Sequence, residues 1–137
     1  VGVLRTNFLR EGDVGEYTIL YGLNALTPMQ RQVTSVTTRL MIAAPYRSGT
    51  LAVRLATAVY DFGLASGIEF DYIDCNPPLD HFFRRLGHRP MHQGSHPEYG
   101  DVSIMRLRLR DESHLRTIRS PLIRLPLNRR SREEVSQ

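Results

Sequence analysis

The chain has 137 residues, a length that accommodates one domain around a single hydrophobic core. Its formal net charge is +4, and all 18 basic residues are Arg, which excludes a catalytic or Schiff-base lysine. The single cysteine, Cys75, excludes an intramolecular disulfide and predicts a reducing, cytoplasmic location. No apolar run approaches the roughly 20 residues of a membrane-spanning helix, so no membrane span is expected.

The first third of the chain predicts two strands separated by a connector. Residues 1–9 alternate apolar and polar residues, which is typical of a strand, and Gly, Asn and Pro punctuate residues 11–32. The stretch Val33 to Ala43 is rich in β-branched residues and is the strongest predicted strand; Pro45 ends it. Because the chain starts without Met and is strand-like at once, we expect a fold that lacks its earlier elements.

The middle of the chain predicts a helix, a strand and a second helix. Residues 49–67 have apolar residues at helical spacing, including Leu51, Leu55 and Phe62, and Gly67 is the expected stop. Residues 69–75 predict a short strand that contains Phe70, Tyr72 and Ile73. Residues 76–87 predict a second helix with two prolines in its first turn, where their missing amide hydrogens cost nothing, and with Gly87 at its end.

The remaining segments complete an α/β fold with a mixed sheet. Residues 89–100 predict a loop, and residues 102–109 alternate as a last strand, followed by a short helix before Ser120. The domain is expected to span residues 1–120, and residues 121–137 to form a basic, flexible C-terminal tail. The segment from Val33 to Cys75 predicts a parallel strand–helix–strand unit.

The junction between the long strand and the first helix is a candidate phosphate-binding turn. A helix N-terminus presents unpaired amide hydrogens and a partial positive charge, and a glycine lets the backbone approach an anion closely. Neither GK[ST] nor GxGxxG is present, so an ordinary helix cap stays open as the alternative. The residues of the candidate turn are Arg47, Ser48, Gly49, Thr50 and Leu51.

A second motif lies downstream, where an Asn is followed by paired aromatics and then by Leu-Gly. Its residues are Asn76, Phe82, Phe83, Leu86, Gly87 and His88. In order and separation, the two motifs resemble the GNAT superfamily of N-acyltransferases over roughly residues 33–109. The resemblance implies a GNAT-like mixed β-sheet flanked by helices, with the candidate turn at the pyrophosphate of an acyl donor.

The strand sequence VTTRLMIAAPYR is similar to that of long-chain N-acyl amino acid synthases and acyl-homoserine-lactone synthases. This resemblance implies an N-acyltransferase that moves an acyl group from an acyl carrier protein or CoA thioester to the amino group of an amino acid or related amine. Acyl-CoA or acyl-phosphopantetheine would be a co-substrate, with no tightly bound cofactor. Thr38 and Arg39 would lie near the reacting centre. The implied donor-binding residues are Ala43, Ala44, Arg47, Ser48, Gly49, Thr50, Leu51, Asn76 and Phe83.

Two departures from the family pattern keep a second function open. The resemblance expects a Tyr as general acid where Phe83 stands, and a Glu where Val36 stands. The alternative is a catalytically inactive GNAT-like module that binds or senses an acyl thioester. If the protein is an enzyme, its base comes from a short set of candidates: Glu69, Asp71, Asp74, His81 or a water held by backbone carbonyls.

Several residues have a structural and a functional interpretation. Asn76 is expected to cap the second helix, with a donor contact as the alternative. The basic residues Arg84, Arg85 and Arg89 would either dock an acidic carrier protein or form a solvated face. The arginines are otherwise spread along the chain without a nucleic-acid-binding motif, so nucleic acid is not an expected partner. The chain has no CxxC or HExxH pattern, so no metal site is expected.

Overall fold

The computed structural model describes residues 2–12, 21–42, 50–96 and 100–123. Within these ranges lie five strands: β1 (Gly2–Phe8), β2 (Thr34–Ile42), β3 (Phe70–Cys75), β4 (Arg89–His96) and β5 (Gly100–Arg108). The same ranges include the α-helices α1 (Pro28–Gln32), α2 (Thr50–Ala65), α3 (Asp80–Leu86) and α4 (Glu112–Thr117), and residues 121–123 are also helical. Short 3₁₀ turns span Leu9–Glu11, Leu23–Ala25 and Pro77–Leu79. No helix in the described ranges is long and apolar enough to cross a membrane.

The five strands form one mixed sheet in the order β1-β2-β3-β5-β4. Strands β2 and β3 are parallel and are connected through α2, whereas the other neighbouring strands are antiparallel. This arrangement confirms the predicted α/β mixed sheet and the parallel strand–helix–strand unit.

The parallel pairing between β2 and β3 is short. It joins four residue pairs, from Thr34↔Phe70 to Thr37↔Ile73. Beyond these pairs β2 continues to Ile42 beside β1, and β3 continues to Cys75 beside β5. A gap therefore opens between residues 38–42 and residues 74–75, at the carboxyl ends of both strands. We call it the β2–β3 gap.

Side chains alternate across the sheet and build two cores. On the face that α2, α3 and α4 cover, Ile73 packs with Leu86, Met105 and other buried residues. On the opposite face, Tyr72 packs with Leu9, Tyr21, Leu23, Val36, Val102 and Ile104. Two glycines end helices in the left-handed region as predicted, since Gly67 has φ +79° and Gly87 has φ +124°.

One prediction of the fold was wrong. Residues 89–96 form strand β4 rather than a loop, because this edge strand pairs only with β5 and exposes most of its residues, so it lacks apolar alternation. Pro90 lies beside a register shift, which an edge strand tolerates. The predicted helix α2 is confirmed; of its apolar residues Phe62 is 53% exposed, whereas Ala52 and Tyr60 are buried.

The described chain remains packed beyond the predicted domain boundary at residue 120. The hydroxyl of Ser120 donates to the backbone carbonyl of Leu86, and Leu122 is buried in the core beneath the helices. Residues 124–137 of the predicted tail lie outside the described residues.

Candidate functional site

The β2–β3 gap lies where the sequence predicts the reacting centre. Thr38 and Arg39 belong to the part of β2 that runs beyond its pairing with β3, and Thr50 is the first residue of α2. The carboxyl ends of parallel strands are the usual ligand-binding edge of such a sheet. The predicted donor-binding residues Ala43, Ala44, Arg47, Ser48 and Gly49 lie outside the described residues.

A cavity lies between α2 and the sheet and begins at the β2–β3 gap. Its volume is about 40 Å³, which is room for a few water molecules or carbon atoms. Its wall on α2 includes the small residues Ala52, Ala56 and Gly63, and at Gly63 the helix backbone lies directly against the Leu109 side chain. The remaining lining is mostly apolar and comprises Val59, Tyr60, Ile73, Phe82, Phe83, Leu86, Leu107, Leu109 and Leu122 together with Thr6, Ser35, Thr37, Asp71 and His88.

A hydroxyl–carboxyl cluster forms one part of this cavity wall. The Ser35 hydroxyl donates to Asp71 Oδ1 at 2.7 Å, and the Thr37 hydroxyl donates to the same oxygen at 2.9 Å. Parallel pairing sets Ser35 directly opposite Asp71, so the register of β2 and β3 creates the cluster. Burial raises the pKa of Asp71 from 3.8 to about 7, and the two hydroxyl hydrogen bonds oppose the rise.

His88 lines the same cavity as a neutral side chain. Its Nδ1 lies 3.2 Å from the backbone carbonyl of Phe83, and because a carbonyl only accepts, Nδ1 carries the proton. Burial lowers the pKa of His88 to about 4, although the hydrogen bond to the Phe83 carbonyl opposes this shift. The imidazole also packs edge-on against the Phe83 ring, with centroids 5.2 Å apart.

A second carboxyl group, Asp74, lies at the β2–β3 gap on the opposite face of the sheet. It follows Ile73, the last residue of β3 that pairs with β2. The hydroxyl of the buried Tyr21 donates a hydrogen bond to Asp74 Oδ1. Tyr21 is held in turn against the ring of Tyr72.

The structure separates the four side chains that could act as a base. Asp71 and Asp74 lie on opposite faces of β3 near the gap. Glu69 precedes β3 at the opposite end of the strand, where its backbone carbonyl accepts a bond from the amide of Leu109. His81 is exposed on α3. Sequence reasoning alone could not rank these residues, because the register of β2 against β3 decides which carboxyls meet the gap.

The prediction that Asn76 caps the second helix with its side chain was wrong. Asn76 holds the N-cap position of the turn Pro77–Leu79, but its side chain makes no capping hydrogen bond. The two prolines have no amide hydrogens, and the amide of Leu79 donates to the backbone carbonyl of Asn76. No backbone amide of this turn is therefore left to donate to the Asn76 side chain.

The other predicted residues divide between the cavity and the core. Phe83 is 7% exposed and lines the cavity, whereas Leu51 is half-buried in the first turn of α2. Val36 is fully buried on the opposite face, so no acidic group enters the site at that position. Burial raises the pKa of Cys75 to about 11, with the Asp80 and Asp74 charges adding to the rise, which opposes a thiolate nucleophile.

The basic residues of the second motif lie at the surface, which fits both a docking face and a solvated face. Arg84 forms an ion pair with Asp80 one helical turn away, and Arg85 and Arg89 are exposed. Across the described residues, no group of three or more His, Cys, Asp or Glu side chains could hold a metal ion.

No protein-family model and no curated protein matches the chain. Several solved structures match the chain. The N-acyl amino acid synthase FeeM from uncultured soil microbes has a TM-score of 0.64 at 17% identity, covering 80% of this chain and 62% of that one. The CoA-dependent acyl-homoserine lactone synthase BjaI has a TM-score of 0.62 at 17% identity, and the match covers 88% of this chain and 60% of that one. A putative N-acetyltransferase from Lactobacillus plantarum has a TM-score of 0.51 at 21% identity, and the match covers 61% of this chain and 56% of that one.

This chain has the GNAT acyltransferase fold. The GNAT resemblance that the sequence motifs carry is thereby confirmed at the level of the fold. The chain spans less than two thirds of the length of each of these structures.

Proposed function

We propose that this GNAT-fold protein is an N-acyltransferase that moves an acyl group from a CoA or acyl-carrier-protein thioester to the amino group of an amino acid or related amine. The observation that carries the proposal is the β2–β3 gap. It opens at the carboxyl ends of two parallel strands, beyond the last pair Thr37↔Ile73, and both residues of that pair line the largely apolar cavity beneath α2.

The unpaired part of β2 would bind the donor. Beyond Thr37 the edge of β2 that faces β3 is not paired with that strand, so backbone groups there can bond an extended pantetheine arm. Backbone amides at this edge would also polarise the thioester carbonyl, and one such oxyanion donor contributes about 3 kcal/mol to catalysis. The N-terminus of α2 would receive the phosphates, with the candidate turn from Arg47 to Leu51.

The first carbons of the acyl chain would enter the cavity beneath α2, which has about 40 Å³ of room. Its apolar lining buries methylene groups favourably, at about 0.8 kcal/mol each. Ala52 and Ala56 leave this room, because larger side chains there would fill it, whereas Leu109 already lies against Gly63.

The acceptor amine would approach from the opposite face, where Asp74 is held by Tyr21. Asp74 would take a proton from the ammonium, and the neutral nitrogen would attack the thioester carbonyl carbon. The resulting tetrahedral intermediate would lose its second nitrogen proton to solvent and collapse with cleavage of the C–S bond, giving the amide and a thiolate. Phe83 has no proton to donate, so the thiolate would be protonated from solvent.

The test measures donor binding and thiol release separately. Acetyl-CoA and dodecanoyl-CoA are titrated by calorimetry, and free thiol is followed in the presence of a pool of the nineteen amino acids other than cysteine, whose own thiol would mask the signal. Asp74→Asn is expected to slow thiol release at least 100-fold while the acyl-CoA dissociation constant changes less than twofold. Asp101→Asn, an exposed carboxyl-to-amide change on β5, is the matched control.

An inactive acyl-thioester binding module is the second candidate, favoured by the buried Val36 and by Phe83. Dodecanoyl-CoA binding without thiol release for any amine would establish that candidate and refute the enzyme. No binding of either thioester would refute both.

A further inference from the structure

The carboxyl group at the acceptor side of the β2–β3 gap is held by a residue from a distant part of the chain. Asp74 lies one residue beyond Ile73, the last residue of β3 that pairs with β2, so β2 does not fix its position. The hydroxyl of Tyr21, 53 residues earlier in the chain, donates a hydrogen bond to Asp74 Oδ1. This contact therefore depends on the tertiary fold rather than on the pairing of the strands.

The side chain of Tyr21 is itself fixed by packing. It is only 2% exposed and lies in the core that contains Leu23 and Tyr72. The ring centroids of Tyr21 and Tyr72 are 6.5 Å apart, and Tyr72 is on the same face of β3 as Asp74 because side chains alternate along a strand. The backbone turns directly after Tyr21 at Gly22, whose φ of +71° favours glycine. The Tyr21 hydroxyl is thus held at the gap.

The core around Tyr21 does not require a hydroxyl group. The neighbours of Tyr21 in this core are apolar side chains apart from the second tyrosine, and a Phe ring would fill the same space. Asp74 is half-buried, so water would reach its carboxylate if Tyr21 offered no donor. The bond engages Oδ1, whereas Oδ2 receives no hydrogen bond from the described residues. A fixed carboxylate with one such oxygen suits proton removal from an acceptor amine.

From this geometry we infer that Tyr21 is a positioning residue for acyl transfer, whose hydroxyl holds Asp74 so that Oδ2 faces the acceptor nitrogen in the β2–β3 gap. The inference rests on the proposed function, since it takes Asp74 as the base. Tyr21 exchanges no proton with either substrate, and it acts only through the carboxylate. The bond matters for the rate because a misplacement of about 1 Å in a catalytic group can cost about 100-fold.

Tyr21→Phe tests this role, because it keeps the ring and its packing and removes only the hydroxyl. Thiol release from acetyl-CoA is followed with the amino acid that the wild-type protein uses fastest, at saturating concentrations of both substrates. The turnover number is expected to fall at least tenfold, while the dissociation constant of acetyl-CoA changes less than twofold. Thermal unfolding verifies that the variant is folded.

Thr34→Val is the matched control, because it also removes a buried hydroxyl that donates a hydrogen bond. The Thr34 hydroxyl donates to the backbone carbonyl of Gln30 at 2.6 Å, and Thr34 pairs with Phe70 at the end of the parallel pairing that is remote from the gap. The turnover number of this control should stay within twofold of wild type.

Two comparisons separate positioning from a general structural effect. In an Asp74→Asn background no carboxylate is left to position, so adding Tyr21→Phe should lower the residual rate less than twofold. At pH 10 most of the acceptor amine is already uncharged, so the ratio of wild-type to Tyr21→Phe turnover should fall from at least tenfold at pH 7.5 to less than threefold. A damaged fold would lower the rate by the same factor in every case.

The outcomes separate this inference from the proposed function. If the wild-type protein releases thiol but Tyr21→Phe turns over as fast, or loses the same factor in the Asp74→Asn background and at pH 10, the inference is wrong and the proposed function stands. If Asp74→Asn turns over as fast as wild type, the inference is also wrong, because Asp74 is then not the base. If the wild-type protein releases no thiol with any amino acid, both are wrong.

Discussion

Replacing Asp71 with Asn should change how the stability of the protein depends on pH. Burial raises the pKa of Asp71 from 3.8 to about 7, so the folded state holds this proton more tightly than the unfolded state does. The carboxyl therefore lowers the free energy of unfolding as pH rises from about 4 to about 7. Asn has nearly the same size, still accepts from Ser35 and Thr37, and does not titrate.

The size of this change in stability follows from the pKa shift of Asp71. One pH unit corresponds to about 1.4 kcal/mol, so ionising Asp71 in the folded protein costs roughly 4 kcal/mol in full. About 2.5 kcal/mol of this cost arises between pH 5 and pH 8. Relative to wild type, Asp71→Asn should therefore gain about 2.5 kcal/mol of stability when the pH is raised from 5 to 8.

Urea denaturation at pH 5, 6, 7 and 8 measures this difference, because titrations common to both proteins cancel. Glu69→Gln, at an exposed position two residues away, is the matched control for a carboxyl-to-amide change. A difference between Asp71→Asn and wild type that stays constant with pH, or that moves in the opposite direction, would refute the reasoning.

Three further predictions concern His88, Gly87 and the cavity. When the pH is lowered from 8 to 5, the free energy of unfolding of His88→Gln should rise by about 2 kcal/mol relative to wild type, measured by urea denaturation. The reason is that burial lowers the pKa of His88 from 6.5 to about 4, so its protonation favours the unfolded state. A difference that stays constant with pH would contradict this. Gly87→Ala should lower the free energy of unfolding by at least 2 kcal/mol, since its Cβ would clash with the Leu115 side chain at φ +124°. The control Gly67→Ala, which has open space around its Cβ, should lower it by about 1 kcal/mol, and equal losses would contradict the clash. Ala56→Leu should weaken dodecanoyl-CoA binding at least tenfold and spare acetyl-CoA, whereas Ala58→Leu, on the exposed face of α2, should change neither dissociation constant.

The parts of the fold that sequence could predict are those with a local signal. The β-branched run of β2 and the glycines that end α2 and α3 mark these elements without tertiary information. Strand β4 has no such signal, because it is stabilised by pairing with β5 on one side and leaves most of its side chains in solvent. Its hydrogen bonds become visible only once β5 is in place.

The candidate site was predictable only in part. The order of the two motifs was enough to predict a GNAT fold, but the cluster around Asp71 depends on the register that sets Ser35 opposite it, and register is a property of two strands. One sequence signal for the cavity was present, namely the small residues Ala52, Ala56 and Gly63 along one side of α2. Their spacing fits a single helix face, which the apolar pattern of Leu51 and Phe62 obscured.

The shortness of the parallel pairing has a consequence for hydrogen exchange. The β1–β2 unit and the β3–β5–β4 unit are joined by four residue pairs, by the two hydroxyl bonds to Asp71 and by core packing of Val36 against Tyr72, whereas no strand pairing joins them at the β2–β3 gap. We therefore expect amide exchange to be faster beside the gap than along the paired part of β2. A thioester held in the gap would contact both units and join them into one cooperative block. Donor binding should then slow amide exchange throughout β1, although β1 lies on the side of β2 that faces away from the gap.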